Sequence, residues 1–410
     1  MARRGLIAVG VLAALTLVGM VGLVSLALSG PEPRGRWGYV AGTAVFVLSA
    51  CQVAPAVAFT TRLGRGFWGA PLRRVADVFG LSGLISAPVL VLLLLELPDW
   101  HDRPSIWFDW PGAPVAWDAV AVLGLAVAGA ALVWFDTWPE RRTARWVGTT
   151  RQWRALTRGL IVLGALYCLL LVFVHLLVAS DLALSLVPGW HSAVIPAYQV
   201  VSGYEAAIAL AVVALAVIRW LDPSAGSRPD AFHSCAKLLL ALGLLWFYFV
   251  WCELLTYWYG RTPDEQSLLG LFMFGPGAGL FLVSLLGQFL LPVSVLIWHK
   301  ARTSPRVTTG VAAAVLIGSF VDRLRLYVGA WAVATPRPQE HLPDPLPPLP
   351  LPGLAELAAC VGILAAVGLV VLLTLRRSGA VARWEVEAVE RLTPERRLLR
   401  TRVPVVARPS

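Results

Sequence analysis

Three polar residues that can take part in proton chemistry lie in a long apolar stretch of the sequence. His175 follows sixteen uncharged residues, Asp181 comes six residues later, and His191 opens the next apolar run. Ionisable groups are costly inside a membrane, so each one is a candidate functional residue. An imidazole titrates near neutral pH and can accept a hydroxyl proton, which a neighbouring carboxylate can pass on to water. The pattern indicates a proton acceptor where an apolar segment ends.

Oxidation of a quinol requires such a group, because the quinol hydroxyls lose their protons while the ring loses electrons. We therefore predict quinol oxidation, with His175 and Asp181 as the catalytic residues. Two other functions fit the same polar residues. A b-type cytochrome would use His175 and His191 as haem ligands, and a secondary transporter would use Glu205, Glu253 and Asp322 for cation coupling.

Further ionisable residues lie at other depths of the predicted membrane helices. Glu205 is near the middle of the sixth apolar window, and Glu253 is two-thirds along the seventh, one turn before Tyr257. Asp322 and Arg325 are spaced i,i+3, so we expect them to neutralise each other. The acids form a series across the membrane and predict a proton path. Its predicted members are Asp77, Asp136, Glu205, Glu253, Asp322, Arg323 and Arg325.

The elements that hold these residues follow from composition. The chain has 410 residues, of which 58% are hydrophobic and 14% charged, and its mean hydropathy is +0.73. These values are typical of an integral membrane protein. Continuous apolar runs, rather than alternating ones, predict an all-α fold with about ten transmembrane helices. The predicted windows are 5–29, 38–60, 76–95, 114–135, 159–179, 193–218, 236–259, 276–298, 309–333 and 354–375. We expect the first to be a retained helix, since its apolar core is longer than that of a signal peptide.

The distribution of basic residues predicts the orientation. Of the 34 Lys and Arg residues, 27 lie in the N-terminus, the tail and every second loop, and five lie in the remaining loops. This asymmetry predicts a multi-pass membrane protein with both termini cytoplasmic. The net charge of +10 then reflects membrane orientation, and nucleic-acid binding is not expected.

The domain organisation is simple. We predict one transmembrane domain over 1–376 and a basic cytoplasmic tail over 377–410, which carries an amphipathic helical period at 381–392. The proline-rich stretch 336–352 predicts an extended external loop. The five cysteines form neither CxxC nor CxxCH, so iron–sulfur and covalent haem ligation by this chain are not expected.

The sequence resembles the NrfD/polysulfide-reductase family of membrane subunits, and most closely the quinol-binding subunits of alternative complex III. The resemblance extends over about residues 70–333 and is most specific in the block "HLLVASDLALSLVPGWHSAVIPAYQVVSG". Further matching stretches are "LRRVADVFGLSG", "LPDWHDRPSIWFDW", "APVAWDAVAV", "TRQWRAL", "WFYFVWCELLTYWYGRTPDE" and "GSFVDRLRLYVG". Asp77 stands where the family more often has Glu, and the branch stays open between alternative complex III and a molybdoenzyme anchor.

The resemblance implies two four-helix bundles with peripheral helices and a quinone site, for menaquinone or ubiquinone, near the outer face. It also implies that this subunit binds no haem or iron–sulfur cluster and is not catalytic alone. The implied partners are a ferredoxin-like iron–sulfur subunit and, depending on the branch, a molybdopterin-type subunit or cytochrome c subunits. The residues it points to for quinone binding are His175, Asp181, His191, Tyr198, Glu253 and Tyr257.

The predicted orientation can be tested by labelling single introduced cysteines in intact cells. A cysteine in 136–158 should react only with a membrane-permeant reagent, because that loop is expected to face the cytoplasm. A cysteine in 336–352 should also react with an impermeant reagent. The opposite pattern would reverse the orientation and move the His175 region to the cytoplasmic side.

Overall fold

The chain folds as a helical membrane protein. The computed structural model describes residues 3–30, 33–64, 66–98, 114–141, 149–221, 229–334, 341–382, 384–385, 395–398 and 401–404. Within this part of the chain, ten helical segments are long and apolar enough to cross a membrane. The prediction of an all-α polytopic protein is therefore confirmed. The segments are α1 (Arg4–Leu28), α2 (Arg34–Leu63), α3 (Ala70–Leu95), α4 (Val115–Arg141), α5 (Arg151–Leu186), α6 (Val194–Leu221), α7 (Ala231–Gly260), α8 (Ala278–Leu296), α9 (Pro305–Val333) and α10 (Leu354–Ser378).

Four of the ten segments are not continuous α-helices: α5 ends in a 3₁₀ turn (Leu184–Leu186) after the helix Thr150–Leu182, and three others are interrupted along their length. In α2, a π-helical turn (Val47–Cys51) separates the helices Trp37–Phe46 and Ala54–Leu63. In α3, a 3₁₀ turn (Phe79–Ser82) lies between the helices Ala70–Val78 and Gly83–Leu95. In α8, a π-helical turn (Leu286–Leu290) joins the helices Ala278–Leu285 and Leu291–Leu296. Such turns shift the helical register and often occur at functional sites.

Successive segments run in opposite directions, so their ends define two faces of the protein. We call the face at which α2, α4, α6, α8 and α10 end the basic face, and the other the opposite face. Segments α2 to α5 form one ring of neighbours, bundle A, and α6 to α9 form a second, bundle B. The bundles meet where α2 packs against α6 and α9. The expected pair of four-helix bundles is therefore present, with α1 and α10 outside them.

Segment α1 is the most peripheral and packs mainly along α10. The two helices approach closely at Gly19 and Gly362, where a Cβ atom added to Gly19 would lie 2.2 Å from the Cα of Gly362. Small residues permit this approach, which is a common way for helices to associate in a bilayer. The rest of α1 is largely exposed, as expected of a helix that faces lipid.

The connections on the opposite face include short helices between α7 and α8. A helix at Pro263–Leu269 continues as a π-helical turn at Gly270–Phe274. After α9, residues 341–353 form neither helix nor strand, and the carbonyl of Pro350 accepts a hydrogen bond from the hydroxyl of Tyr39 (2.7 Å). Most of the stretch 97–110 and residues 335–340 lie outside the described residues.

The beginning of the tail is part of the fold. The side chains of Ala382, Trp384 and Glu385 are buried against the basic ends of the helices. Residues 386–394, which hold most of the predicted amphipathic helix, lie outside the described residues. Further along, β1 (Glu395–Leu398) pairs with β2 (Thr401–Pro404) as an antiparallel hairpin.

The close approach of α1 and α10 predicts a local sensitivity to side-chain size. Gly19→Leu should lower the free energy of unfolding by about 1–3 kcal/mol, the range for overpacking a tight contact, because α1 must move away from α10. Gly10→Leu on the same helix should be neutral, since no atom lies within 4 Å of an added Cβ there. Thermal denaturation in detergent measures both, and equal midpoints for the two variants would contradict the packing described.

Candidate functional site

A network of buried polar groups in bundle B surrounds the carboxylate of Asp322 on α9. Its side chain has no solvent exposure. Oδ1 accepts hydrogen bonds from Nη2 (2.8 Å) and Nε (3.3 Å) of Arg325, and Oδ2 accepts from Nη1 of Arg323 (3.0 Å). The hydroxyl of Tyr198 on α6 also donates to Oδ2. The pairing of Asp322 with Arg325 expected from their spacing is therefore present, and Arg323 adds a second cation.

Arg323 joins the two bundles. Its Nε donates to the hydroxyl of Ser49 in α2 (3.3 Å), and its Nη2 donates to the carbonyl of Gln199 (3.2 Å) and to the hydroxyl of Ser202 in α6. The side chain is fully buried, so these bonds replace the water that a guanidinium would otherwise require. Helices α2, α6 and α9 are thus held together around one cation.

A pocket lies next to this network, between α6, α7, α9 and the short helices at 263–274. The empty space between its walls is about 440 Å³ when the part that opens to the outside is included. Its walls are mostly aromatic and aliphatic, with a few polar groups, which is typical of a small-molecule site. The lining residues are Trp190, Val194, Ile195, Tyr198, Phe249, Val250, Glu253, Tyr257, Leu268, Leu269, Phe272, Met273, Arg325 and Leu326.

Glu253 supplies the acidic group of the pocket. Its Oε2 accepts a hydrogen bond from the hydroxyl of Ser192 (2.9 Å). Among the described residues, Glu253 Oε1 and the Tyr257 hydroxyl are buried and have no hydrogen bond of normal geometry, although the two groups lie close to each other and to Trp190. A buried polar atom without a partner is costly. A ligand with a hydroxyl or carbonyl group could form hydrogen bonds with these atoms and so gain binding free energy.

Arg325 supplies the cationic group. Its Nη1 donates to the carbonyl of Phe272 (3.2 Å), and its Nε and Nη2 bind Asp322. A guanidinium has five N–H groups, so Nη1 and Nη2 each have one beyond these three bonds, and the Tyr198 side chain lies beside them. The pocket therefore combines a carboxyl group and a guanidinium in an apolar enclosure.

The structure separates the predicted quinone-binding residues. Tyr198, Glu253 and Tyr257 line the pocket, whereas His175 and Asp181 do not. Both of the latter are fully buried at the end of α5. The Nδ1 of His175 lies 2.9 Å from the carbonyl of Leu171, so this carbonyl orients the ring. Its Nε2 has no partner among the described residues.

His191 lies apart from His175. It is exposed on the opposite face, while His175 is buried, so the two rings do not share an enclosed site of the kind that a haem requires. Among the described residues, no group of three or more His, Cys, Asp or Glu side chains is placed to hold a metal ion.

The predicted proton-path residues fall into two separate regions. Asp77 and Asp136 lie in bundle A, at the basic face, in a network of buried ion pairs. Arg62 lies 2.6 Å from Asp77 and 3.3 Å from Asp136, and Arg74 binds Asp136 as well. Glu205 and Asp322 lie in bundle B, where Asp322 is neutralised and Glu205 has no hydrogen-bond partner among the described residues. The acids thus do not form one continuous series.

The network in bundle A includes groups that sequence reasoning missed. Glu385 of the tail accepts a hydrogen bond from Nε of Arg62 (2.8 Å), and its Oε2 lies 3.6 Å from Nη1 of Arg73. Nε1 of Trp384 donates to the carbonyl of Asp136 (3.3 Å). The signal available in the sequence was the number of arginines at the ends of α2 and α3, because buried arginines require carboxylates.

Comparison with known proteins adds no assignment. No protein-family model matches the sequence, and no curated protein matches it. The functional interpretation accordingly depends on the pocket and on the buried networks.

The network around Asp322 predicts a large effect of its removal. Asp322→Ala should lower the free energy of unfolding by about 3–5 kcal/mol, because two buried arginines lose their counter-ion. Asp344→Ala, at an exposed position of the 341–353 segment, should change it by less than about 0.5 kcal/mol. Denaturation of both variants in detergent tests this, and a small effect of Asp322→Ala would show that water compensates the arginines.

Proposed function

We propose that this protein is a quinone- and quinol-binding membrane subunit of a respiratory oxidoreductase, of the NrfD/polysulfide-reductase type. The observation that carries the proposal is the pocket in bundle B, where Glu253 and Arg325 face an otherwise apolar enclosure. A quinol has a flat apolar ring with an oxygen at each end. A site for it needs apolar walls and groups that accept and donate hydrogen bonds at the ring oxygens.

The residues of the pocket fit this ligand class. Trp190 and Phe272 pack against each other at 4.7 Å between ring centroids and form part of an aromatic wall. Glu253 Oε1 can accept a proton from a quinol hydroxyl, and the unused N–H groups of Arg325 can donate to an oxygen of the ring. Asp322 and the carbonyl of Phe272 hold the Arg325 guanidinium in place.

Oxidation at this site would proceed by loss of the hydroxyl protons and two electrons from the quinol, which leaves the quinone. Glu253 would act as general base for the two hydroxyl protons in turn, and it would release the first to water at the opposite face before it accepts the second. The electrons would pass to an iron–sulfur subunit docked over that face, because the family's membrane subunits carry no redox centre of their own. Under the predicted topology this is the outer face of the membrane.

The proposal assigns the base to Glu253 in preference to His175. His175 and Asp181 match the family's quinol-contacting positions, yet they do not line the pocket. His175 is completely buried with Nδ1 close to a main-chain carbonyl. Its part in the proposed function is to pack α5 within the protein.

The test compares three variants in the complex purified with its partner subunits, with a short-tail quinol as substrate. Glu253→Gln should lower quinol oxidation by roughly 10²–10⁴-fold, the range for loss of a general base. Glu96→Gln, at the end of α3 and outside the pocket, is the matched control and should retain activity. His175→Ala should give near-normal turnover per assembled complex.

Activity is normalised to assembled protein, so that a loss of assembly is not read as a loss of chemistry. Normal turnover in Glu253→Gln together with a large loss in His175→Ala would move the site to α5. Full activity in all the variants would show that quinol oxidation does not take place in the pocket.

A further inference from the structure

Bundle B contains a layer of buried polar groups that the pocket does not use. It is formed by Glu205 on α6, Gln288 on α8 and Ser319 on α9, and none of these side chains has any solvent exposure. Within the described residues, no hydrogen-bond partner is found for Glu205 Oε1 or Oε2, Gln288 Oε1 or Nε2, or the Ser319 hydroxyl. We call these three residues the polar layer.

Close helix contacts bring the polar layer together. A Cβ atom added to Gly243 of α7 would lie 3.2 Å from Oε1 of Glu205 and 2.7 Å from the main-chain oxygen of Gln288. The glycine thus lets α7 approach both residues. The carboxyl group of Glu205 and the main-chain carbonyl of Gln288 therefore border the same small space. On the other side of Gln288, α8 and α9 approach at Gly287 and Gly318, where an added Cβ would lie 2.8 Å from the opposing Cα.

The depth of Ser319 follows from the antiparallel packing of α6 and α9. Arg323 of α9 binds the hydroxyl of Ser202 in α6. Ser319 is four residues before Arg323, and Glu205 is three residues after Ser202, so both lie about one turn from that contact in the same direction. Ser319 and Glu205 are therefore at matching levels.

The backbone of α8 contributes a further polar group. Gln288 lies in the π-helical turn Leu286–Leu290, and the residue four positions after it is Pro292. Proline has no N–H group, so the Gln288 carbonyl lacks the donor that a regular α-helix would provide. This carbonyl is the one that lies next to Gly243.

Such a set of groups is costly if nothing satisfies it. A buried unsatisfied polar group costs about 1–3 kcal/mol, and an ionised carboxylate without a cation costs far more. Water satisfies such groups where it finds two to four polar partners. Since Arg323 and Arg325 are bound to Asp322, the neutral, protonated carboxyl is the less costly form of Glu205.

We infer that the polar layer encloses water and that Glu205 carries an exchangeable proton there. This deepens the proposed function, because it gives a lipid-embedded subunit a place to store a proton during quinol turnover. Toward the basic face, the side of α9 that bears Ser319 carries the apolar residues Val315 and Ala312, and the next polar residue on that side is Thr308. The nearest buried polar cluster is the Asp322 network, one turn away on the pocket side.

The proton on Glu205 can be observed without quinol, by infrared spectroscopy of the full chain in lipid nanodiscs. Wild-type protein should show a carboxylic C=O band that shifts in D₂O, and Glu205→Gln should lose it. Gln288→Leu should keep the band but shift it to higher frequency, because the carboxyl group loses hydrogen-bonding neighbours. Ser284→Ala is the matched control, since the Ser284 hydroxyl already donates to the carbonyl of Leu280 (2.8 Å).

Several results would overturn the inference. They are an unchanged band in Glu205→Gln, no response to D₂O, or a band that sodium but not potassium abolishes, which would indicate a metal-cation site. If Glu205→Gln does not fold, the inference is tested by comparing the frequency of the C=O band in Gln288→Leu with that in Ser284→Ala. In the complex with its partners, Glu205→Gln should remove proton release in excess of the one proton per electron that quinol oxidation itself supplies, while quinol oxidation continues. If the complex does not oxidise quinol but the C=O bands of the variants behave as expected, the proposed function is rejected and the inference about the polar layer is unaffected.

Discussion

The cost of a charge in a low-dielectric interior organises this protein. Asp322 can be buried in the middle of a lipid-embedded bundle only because Arg323, Arg325 and the hydroxyl of Tyr198 surround it. Both arginines have a second attachment. Arg323 extends to α2 and α6, and Arg325 to the carbonyl of Phe272 in the turn that follows the Pro263–Leu269 helix. One carboxylate thus determines how the two bundles meet and where one wall of the pocket stands.

The two bundles use buried charge differently. In bundle A the acids at the basic face are paired with arginines, and the tail residue Glu385 supplies one of the carboxylates. The charged groups of this network are therefore largely bound to one another. In bundle B, pairing is complete around Asp322 but not at Glu253 or in the polar layer. The placement of unused hydrogen-bonding groups around one pocket, rather than the number of ionisable residues, identifies the candidate site in bundle B.

Helix irregularities occur where this capacity is found. The π-helical turn at Leu286–Leu290 carries Gln288 of the polar layer, and the turn at Gly270–Phe274 presents both Phe272 and the carbonyl that binds Arg325. A π-helical turn removes main-chain groups from the regular ladder and makes them available to other partners. In a membrane this is tolerated only when protein or enclosed water satisfies those groups.

The sequence by itself determined the fold class and the number of membrane segments, because the bilayer imposes a length and a hydrophobicity on every helix that crosses it. It also determined the pairing of Asp322 with Arg325, since a spacing of three residues on a helix brings side chains together whatever the neighbours are. Only the tertiary structure decided which ionisable residues share a pocket. His175, Glu253 and Tyr198 lie on different helices, and which sides of those helices face each other depends on how bundles A and B pack. For the same reason the sequence did not indicate that Glu385 binds Arg62, a contact between positions 323 residues apart. Depth in the membrane can be read from position along a helix, but lateral placement depends on contacts between distant parts of the chain.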